Sequence, residues 1–153
     1  GETPMHTSIY KARPDVECIL HYHPDELVVV AAAGQEIKVI ANCAVHFHRG
    51  TPIYDSPLLI RNHSLGDKVA ATLGDRTAVL LRGHGGTVVA SNLDMLLRRG
   101  VDFVKSARIQ IMAAPLGHVK THSKEECQQM AAGHDRPDAS RRHVDFYISE
   151  IFE

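Results

Sequence analysis

The sequence predicts an α/β fold, with helices outside one sheet, and three observations carry that prediction. Apolar runs of strand length, Val16 to Tyr22 and Thr77 to Leu81, are bounded by proline or glycine. Other segments repeat apolar residues at helical spacing, the longest running from Leu93 to about Ala113. Strand and helix patterns follow one another along the chain, an order that sets helices against a shared sheet.

Each element has its own local cause. Met5 to Ala12 reads as a short helix with Met5, Ile9 and Ala12 on one side. It stops at Arg13-Pro14-Asp15, because a residue before proline avoids helical angles. Val16 to Tyr22 is the first strand. Glu26 to Ala33 fits a short helix turning at Gly34, although an apolar run of this length leaves a strand open. Ile37 to Ile40 reads as a strand, and Ala41 to Pro57 as irregular loop broken by Gly50, Pro52 and Pro57. Asn62 or Ser64 caps a helix that Gly74 stops after Leu73. Thr77 to Leu81 is a buried strand, and Thr87 to Ala90 returns after a glycine turn. Asn92 caps the long helix, which Pro115 ends. Ser123-Lys124-Glu125-Glu126 is a capping box for a helix through about Ala132. Gly133 to Ala139 reads as a polar linker, after which Ser140 caps a last helix through Ile151.

Composition narrows the function. The 153 residues are 44% hydrophobic and 23% charged, enough for one domain with a real core. A net charge of −1 without a basic stripe argues against nucleic acid. The longest apolar stretch, Leu27 to Gly34, is too short to span a membrane. Gly1-Glu2-Thr3-Pro4 does not open like a signal peptide. The three separated cysteines (Cys18, Cys43, Cys127) read as free thiols, so the expected location is cytoplasmic.

The chemistry concentrates in histidines. His21 and His23 stand two apart at the end of an apolar strand, so both imidazoles point to one face and can grip one ion. Cys18, Leu20 and Tyr22 then face the core. The alternative is a strand-edge pair satisfied by water or backbone. His84 follows a strand between Gly83 and Gly85, where glycine permits positive φ or close backbone approach. It reads as a third ligand or as a turn residue. Three protein nitrogens with an open position match a catalytic metal site rather than a closed structural one. His6 lies one helical turn after Glu2, within reach of such a site. His46 and His48 form a second His-x-His, suited to lining a pocket, contacting a substrate carboxylate or holding a second metal. Arg82 and Arg61 suit an anionic substrate or a salt bridge. His63, His118, His122, His134 and His143 read as surface or helix-end residues.

Taken together, Glu2-x-Pro-Met-His6, Ile9 to Val16 with its Arg13-Pro14-Asp15, His21-x-His23, and Leu81-Arg82-Gly83-His84-Gly85 resemble the class II aldolase/adducin family. The wording around Glu2 and His84 is most similar to the branch that decarboxylates hydroxylated aromatic or pyridine carboxylates. The resemblance implies a single-domain, three-layer α/β/α architecture with a mainly antiparallel central sheet. It implies His21, His23 and His84 as ligands to a divalent ion (zinc, or manganese, cobalt or iron). Glu2, which spacing alone leaves as a solvated charge, becomes the acid/base group. A homotetramer is also implied, with active sites at subunit interfaces and Tyr147 and Phe146 reaching a neighbour's site. The alternative for these two rings is packing on Ile148 and Ile151.

Family members carry a segment before the glutamate that supplies strands and phosphate-holding loops, and residues 1–153 are expected to form one domain lacking it. Asn42 stands, by ungapped count, where fuculose-phosphate aldolases carry a catalytic tyrosine. The expected activity is therefore a metal-dependent carbon–carbon lyase, with decarboxylation through a metal-stabilised enolate or phenolate ahead of sugar-phosphate aldol cleavage or epimerisation. A non-catalytic adducin-like interaction domain is the alternative from another class, against which the retained histidines count.

Overall fold

The computed structural model describes residues 2–134 and 137–152. Its elements are α1 (Thr3–Ala12), β1 (Cys18–Tyr22), α2 (Asp25–Ala32), a 3-10 helix (Asn42–Phe47), β2 (Ile53–Tyr54), α3 (His63–Leu73), β3 (Ala78–Leu81) and β4 (Gly85–Ala90). They continue with α4 (Leu93–Ala113), a short 3-10 turn (Ala114–Leu116), α5 (Lys124–His134) and α6 (Pro137–Phe152). The strands lie in the order β1-β4-β3-β2. Two of the pairings, β1 with β4 and β3 with β4, are antiparallel, whereas β2 runs parallel to β3. This is the mainly antiparallel α/β sheet expected.

Strand alternation sorts the core into two layers. On one face Met5, Ile9, Val69 and Leu73 of α1 and α3 pack on Val79, Leu81 and Val89. On the other, Leu27 and Val30 of α2 and Phe103 and Ala107 of α4 cover Leu80, Val88 and Ala90. Cys18, Leu20 and Tyr22 lean on this second layer, as their register requires. Phe47 and Phe103 anchor it with ring centroids 4.8 Å apart. No helix among the described residues is long and apolar enough to cross a membrane.

The caps form as their sequences require. Asn62, rather than Ser64, accepts from the Leu65 N–H, and Asn92 from the Met95 N–H. In the capping box Ser123 N–H donates to Glu126 Oε2 at 2.7 Å, and Glu126 N–H donates to Ser123 Oγ. Glu26 to Ala33 resolves to helix.

Three segments differ from expectation. Ile37 to Ile40 is not a strand: Thr51 Oγ1 accepts from Ile37 N–H at 2.8 Å and Gln110 Oε1 from Lys38 N–H at 2.7 Å. Side-chain acceptors thus replace a neighbouring strand. Ala41 to Pro57 is not featureless loop, since its 3-10 helix buries Ala44, Val45, His46 and Phe47 and its residues 53–54 form β2. Ser140 is not a cap, because α6 already begins at Pro137, and its hydroxyl instead meets Met95 Sδ inside the helix packing. The expected linker at Gly133 to Ala139 is largely helical, with residues 135 and 136 outside those described.

Candidate metal site

Three parts of the chain converge at one end of the β1–β4 pair. Glu2 precedes α1, which Pro4 helps to start with its fixed φ. Its carboxylate does not cap that helix. Instead Oε1 accepts from the Ile60 N–H at 2.8 Å, which turns Oε2 toward His21 and His84. His21 and His23 stand on and just beyond the end of β1. His84 occupies the turn between β3 and β4, where Gly83 and Gly85 both take positive φ (+69° and +124°). A Cβ on Gly85 would lie 2.4 Å from the Tyr22 carbonyl oxygen and 2.8 Å from His23 Cα. The glycine therefore lets the end of β1 sit against the His84 turn.

Glu2 Oε2 lies 2.8 Å from His21 Nε2 and 3.2 Å from His84 Nε2, and His23 Nε2 is 2.9 Å from His21 Nε2. One ligand atom from each of the four residues falls within 4.8 Å of all the others. Glu2, His21 and His84 are largely shielded, while His23 is exposed. Among the described residues this is the one such cluster, and His46 and His48 gather no third ligand.

The protonation pattern tests whether a cation fits. His21 Nδ1 is 3.0 Å from the Gly86 carbonyl oxygen, which can only accept, so Nδ1 carries the hydrogen. That leaves the His21 Nε2 lone pair aimed at a carboxylate oxygen and at another imidazole nitrogen. Such an arrangement is relieved by a proton shared among the three atoms or by a metal cation set between them. Ligand atoms about 2.1 Å from a tetrahedral ion would sit ~3.4 Å apart, close to the spacing here. The donor set therefore fits a divalent ion. The ionisation tendencies agree. Burial would raise the Glu2 pKa, but the Ile60 N–H and the His84 and His21 imidazoles outweigh it and hold Glu2 below the ordinary carboxylate range. Burial pushes the His21 pKa down, toward the neutral ring that ligates.

The remaining candidates are dispersed. His6 borders the cluster, its Nδ1 donating to the Glu2 carbonyl oxygen at 3.2 Å and its ring 6.4 Å from that of His21. Arg82 forms an ion pair with Asp55. His46 is buried, 3.3 Å from Asp102 and stacked edge-on against His134. His48 turns back to the Val45 carbonyl oxygen. Tyr147 is half-buried, and burial raises its pKa. Phe146, Ile148 and Ile151 are exposed, and the Phe146 and Tyr147 rings meet edge to face with centroids 5.9 Å apart. A half-open pocket of about 290 Å³ lies apart from the cluster, lined by Arg13, His46, His48, Arg49 and Arg99 among others.

Sequence reasoning missed three contributors. The Ile60 N–H and the Gly86 carbonyl are backbone groups, invisible in a side-chain pattern. Thr87 is fully buried with its Oγ1 3.1 Å from His21 Nδ1. The available signal was a polar residue inside the apolar run Thr87-Val88-Val89-Ala90.

Comparison with known proteins gives the chain a family and a fold. Residues 1–111 match the family described as Class II Aldolase and Adducin N-terminal domain. The chain is 31% identical over 121 residues to a 3,4-dihydroxyphthalate decarboxylase from Rhodococcus jostii, covering 76% of this chain and 50% of that protein. A protein of the same name from Arthrobacter keyseri is 32% identical, with 74% of this chain and 49% of that one covered. The chain thus spans about half the length of these relatives. In fold it is similar to an L-fuculose 1-phosphate aldolase, with a TM-score of 0.81 at 23% identity over 88% of this chain and 63% of that one. The match over residues 1–111 and the shared fold make this chain a member of the class II aldolase and adducin family.

Proposed function

We propose that the chain carries the site of a divalent-metal-dependent carbon–carbon lyase that decarboxylates a hydroxylated aromatic or heteroaromatic carboxylate. The observation behind this reading is the convergence of Glu2, His21, His23 and His84 within 4.8 Å. The two decarboxylase relatives support the substrate class. A bound divalent ion would supply the positive charge that stabilises an oxygen beside the breaking bond.

The protein's own groups handle the proton. Glu2 rests as a carboxylate, so it accepts the proton of the substrate hydroxyl. When the carbon–carboxylate bond breaks and CO2 leaves, the bonding electrons stay on the ring. Glu2 then returns its proton to that carbon, which balances the step. The Ile60 N–H steadies Glu2 throughout. Zinc is the first metal to try, followed by cobalt, iron and manganese. We place the protein in the cytoplasm as a homotetramer, following the family.

Metal content measured by mass spectrometry should give about one divalent ion per chain, lost in His21→Ala. With metal bound, CO2 release should be tried first on 3,4-dihydroxyphthalate. Glu2→Gln should keep its metal and lose turnover by about 10²–10⁴-fold. Full turnover in Glu2→Gln would remove Glu2 from its role. Metal without any CO2 release, but with cleavage of a sugar phosphate, would replace the decarboxylase by an aldolase.

A further inference from the structure

His21 differs from the other two imidazoles in how it is held. Its Nδ1 faces two acceptors, the Gly86 carbonyl oxygen at 3.0 Å and Thr87 Oγ1 at 3.1 Å. Thr87 stands directly opposite His21 in the β1–β4 register. Its hydroxyl can either accept from an imidazole N–H or donate to a bare imidazole nitrogen, and only the first leaves Nε2 free to ligate. Met5 Sδ holds it in the first, the arrangement that the Gly86 carbonyl also selects. It lies 3.7 Å from Thr87 Oγ1 and takes the hydroxyl hydrogen, so a lone pair of Oγ1 faces His21. Met5 and Thr87 are both fully buried.

We propose that Thr87, with its hydroxyl oriented by Met5, is a positioning residue that fixes the His21 ring and its tautomer for metal binding. The inference rests on the metal-site reading above. It makes His21 the pre-set ligand, tied through β4 to the first turn of α1, the helix that Glu2 immediately precedes. Outer partners of metal-bound histidines typically change metal affinity by about ten- to a hundredfold. The Gly86 carbonyl still holds Nδ1 when the hydroxyl is gone, so the effect belongs near the lower end.

The test is titration of the purified chain with Co²⁺ alone, followed by visible absorbance, for wild type, Thr87→Val, Thr87→Ser and Met5→Leu. Thr87→Val keeps the β-branched shape and should bind about tenfold more weakly. Thr87→Ser keeps the hydroxyl and should bind like wild type. Met5→Leu should fall between them. Equal affinity in wild type and Thr87→Val overturns the proposal, and so does a loss in Thr87→Ser as large as in Thr87→Val, which would assign the effect to packing of the methyl group. If Thr87→Val does not fold, the Thr87→Ser and Met5→Leu pair still decides: Met5→Leu equal to wild type removes the orienting role. No Co²⁺ binding by wild type overturns the metal reading itself, a different result from equal binding across the series.

Discussion

At Asp15 a single side chain sets a measurable ionisation. Arg13 donates to both carboxylate oxygens, from Nε at 2.8 Å and Nη2 at 2.7 Å, and these hydrogen bonds bring the Asp15 pKa down to about 2. Because the folded value lies below the ordinary one, this pair favours the fold at neutral pH. That contribution is lost as pH falls from about 4 through about 2. A carboxyl titration followed by NMR should show the low midpoint in wild type and an ordinary one in Arg13→Ala; an unchanged midpoint would remove Arg13 as the cause. The Arg-Pro-Asp motif was legible in the sequence as a helix stop, but its ion pair and the donation from Arg13 to the Gly74 and Arg76 carbonyl oxygens were not. The same division holds at the site. The spacing of His21 and His23 could be read because i and i+2 share a strand face. The Ile60 N–H on Glu2 could not, since 58 residues separate the two.

At the level of elements, the turn between β3 and β4 carries the sharpest expectation. Gly85 needs both its φ of +124° and the space that a Cβ would take from Tyr22 and His23. Gly83 needs only its φ of +69°, with nothing within 4 Å of a Cβ. Gly83→Ala should therefore cost about 1–2 kcal/mol and leave metal binding intact. Gly85→Ala should cost more and weaken metal binding, because β1 must withdraw with His23 upon it. Thermal unfolding and a metal titration on both variants check this, and equal effects would refute the close-approach argument. Helix starts were legible wherever Asn62, Asn92 or Ser123 could satisfy a nearby N–H, since capping is local. Residues 37–40 were misread because their acceptors, Thr51 and Gln110, arrive from far along the chain. Ser140 was misread because the helix signal N-terminal to it, Pro137, was assigned to a linker.

For the whole molecule, two apolar layers brace the sheet from either side, and Phe103 is the fully buried centre of one. Phe103→Ala should destabilise the chain by about 3–5 kcal/mol in denaturant unfolding; a loss below 1 kcal/mol would mean that this layer closes over the gap. Along α4, Leu93, Leu97 and Val101 recur every four residues and are 59%, 40% and 41% exposed. Light scattering should give the mass of the proposed tetramer, and a monomer at every concentration would withdraw it. The overall architecture was legible because alternation and helical spacing specify which faces are apolar. The pairing of β1 with β4 reaches further than the fold. His21 stands opposite Thr87, and its neighbours Leu20 and Tyr22 point to the α4 side. A slip of one residue would turn His21 into the apolar layer and set Leu20 or Tyr22 among the imidazoles. Mispaired chains would thus lose the proposed metal site along with their core. Retained metal stoichiometry becomes an assay for correct strand alignment after refolding.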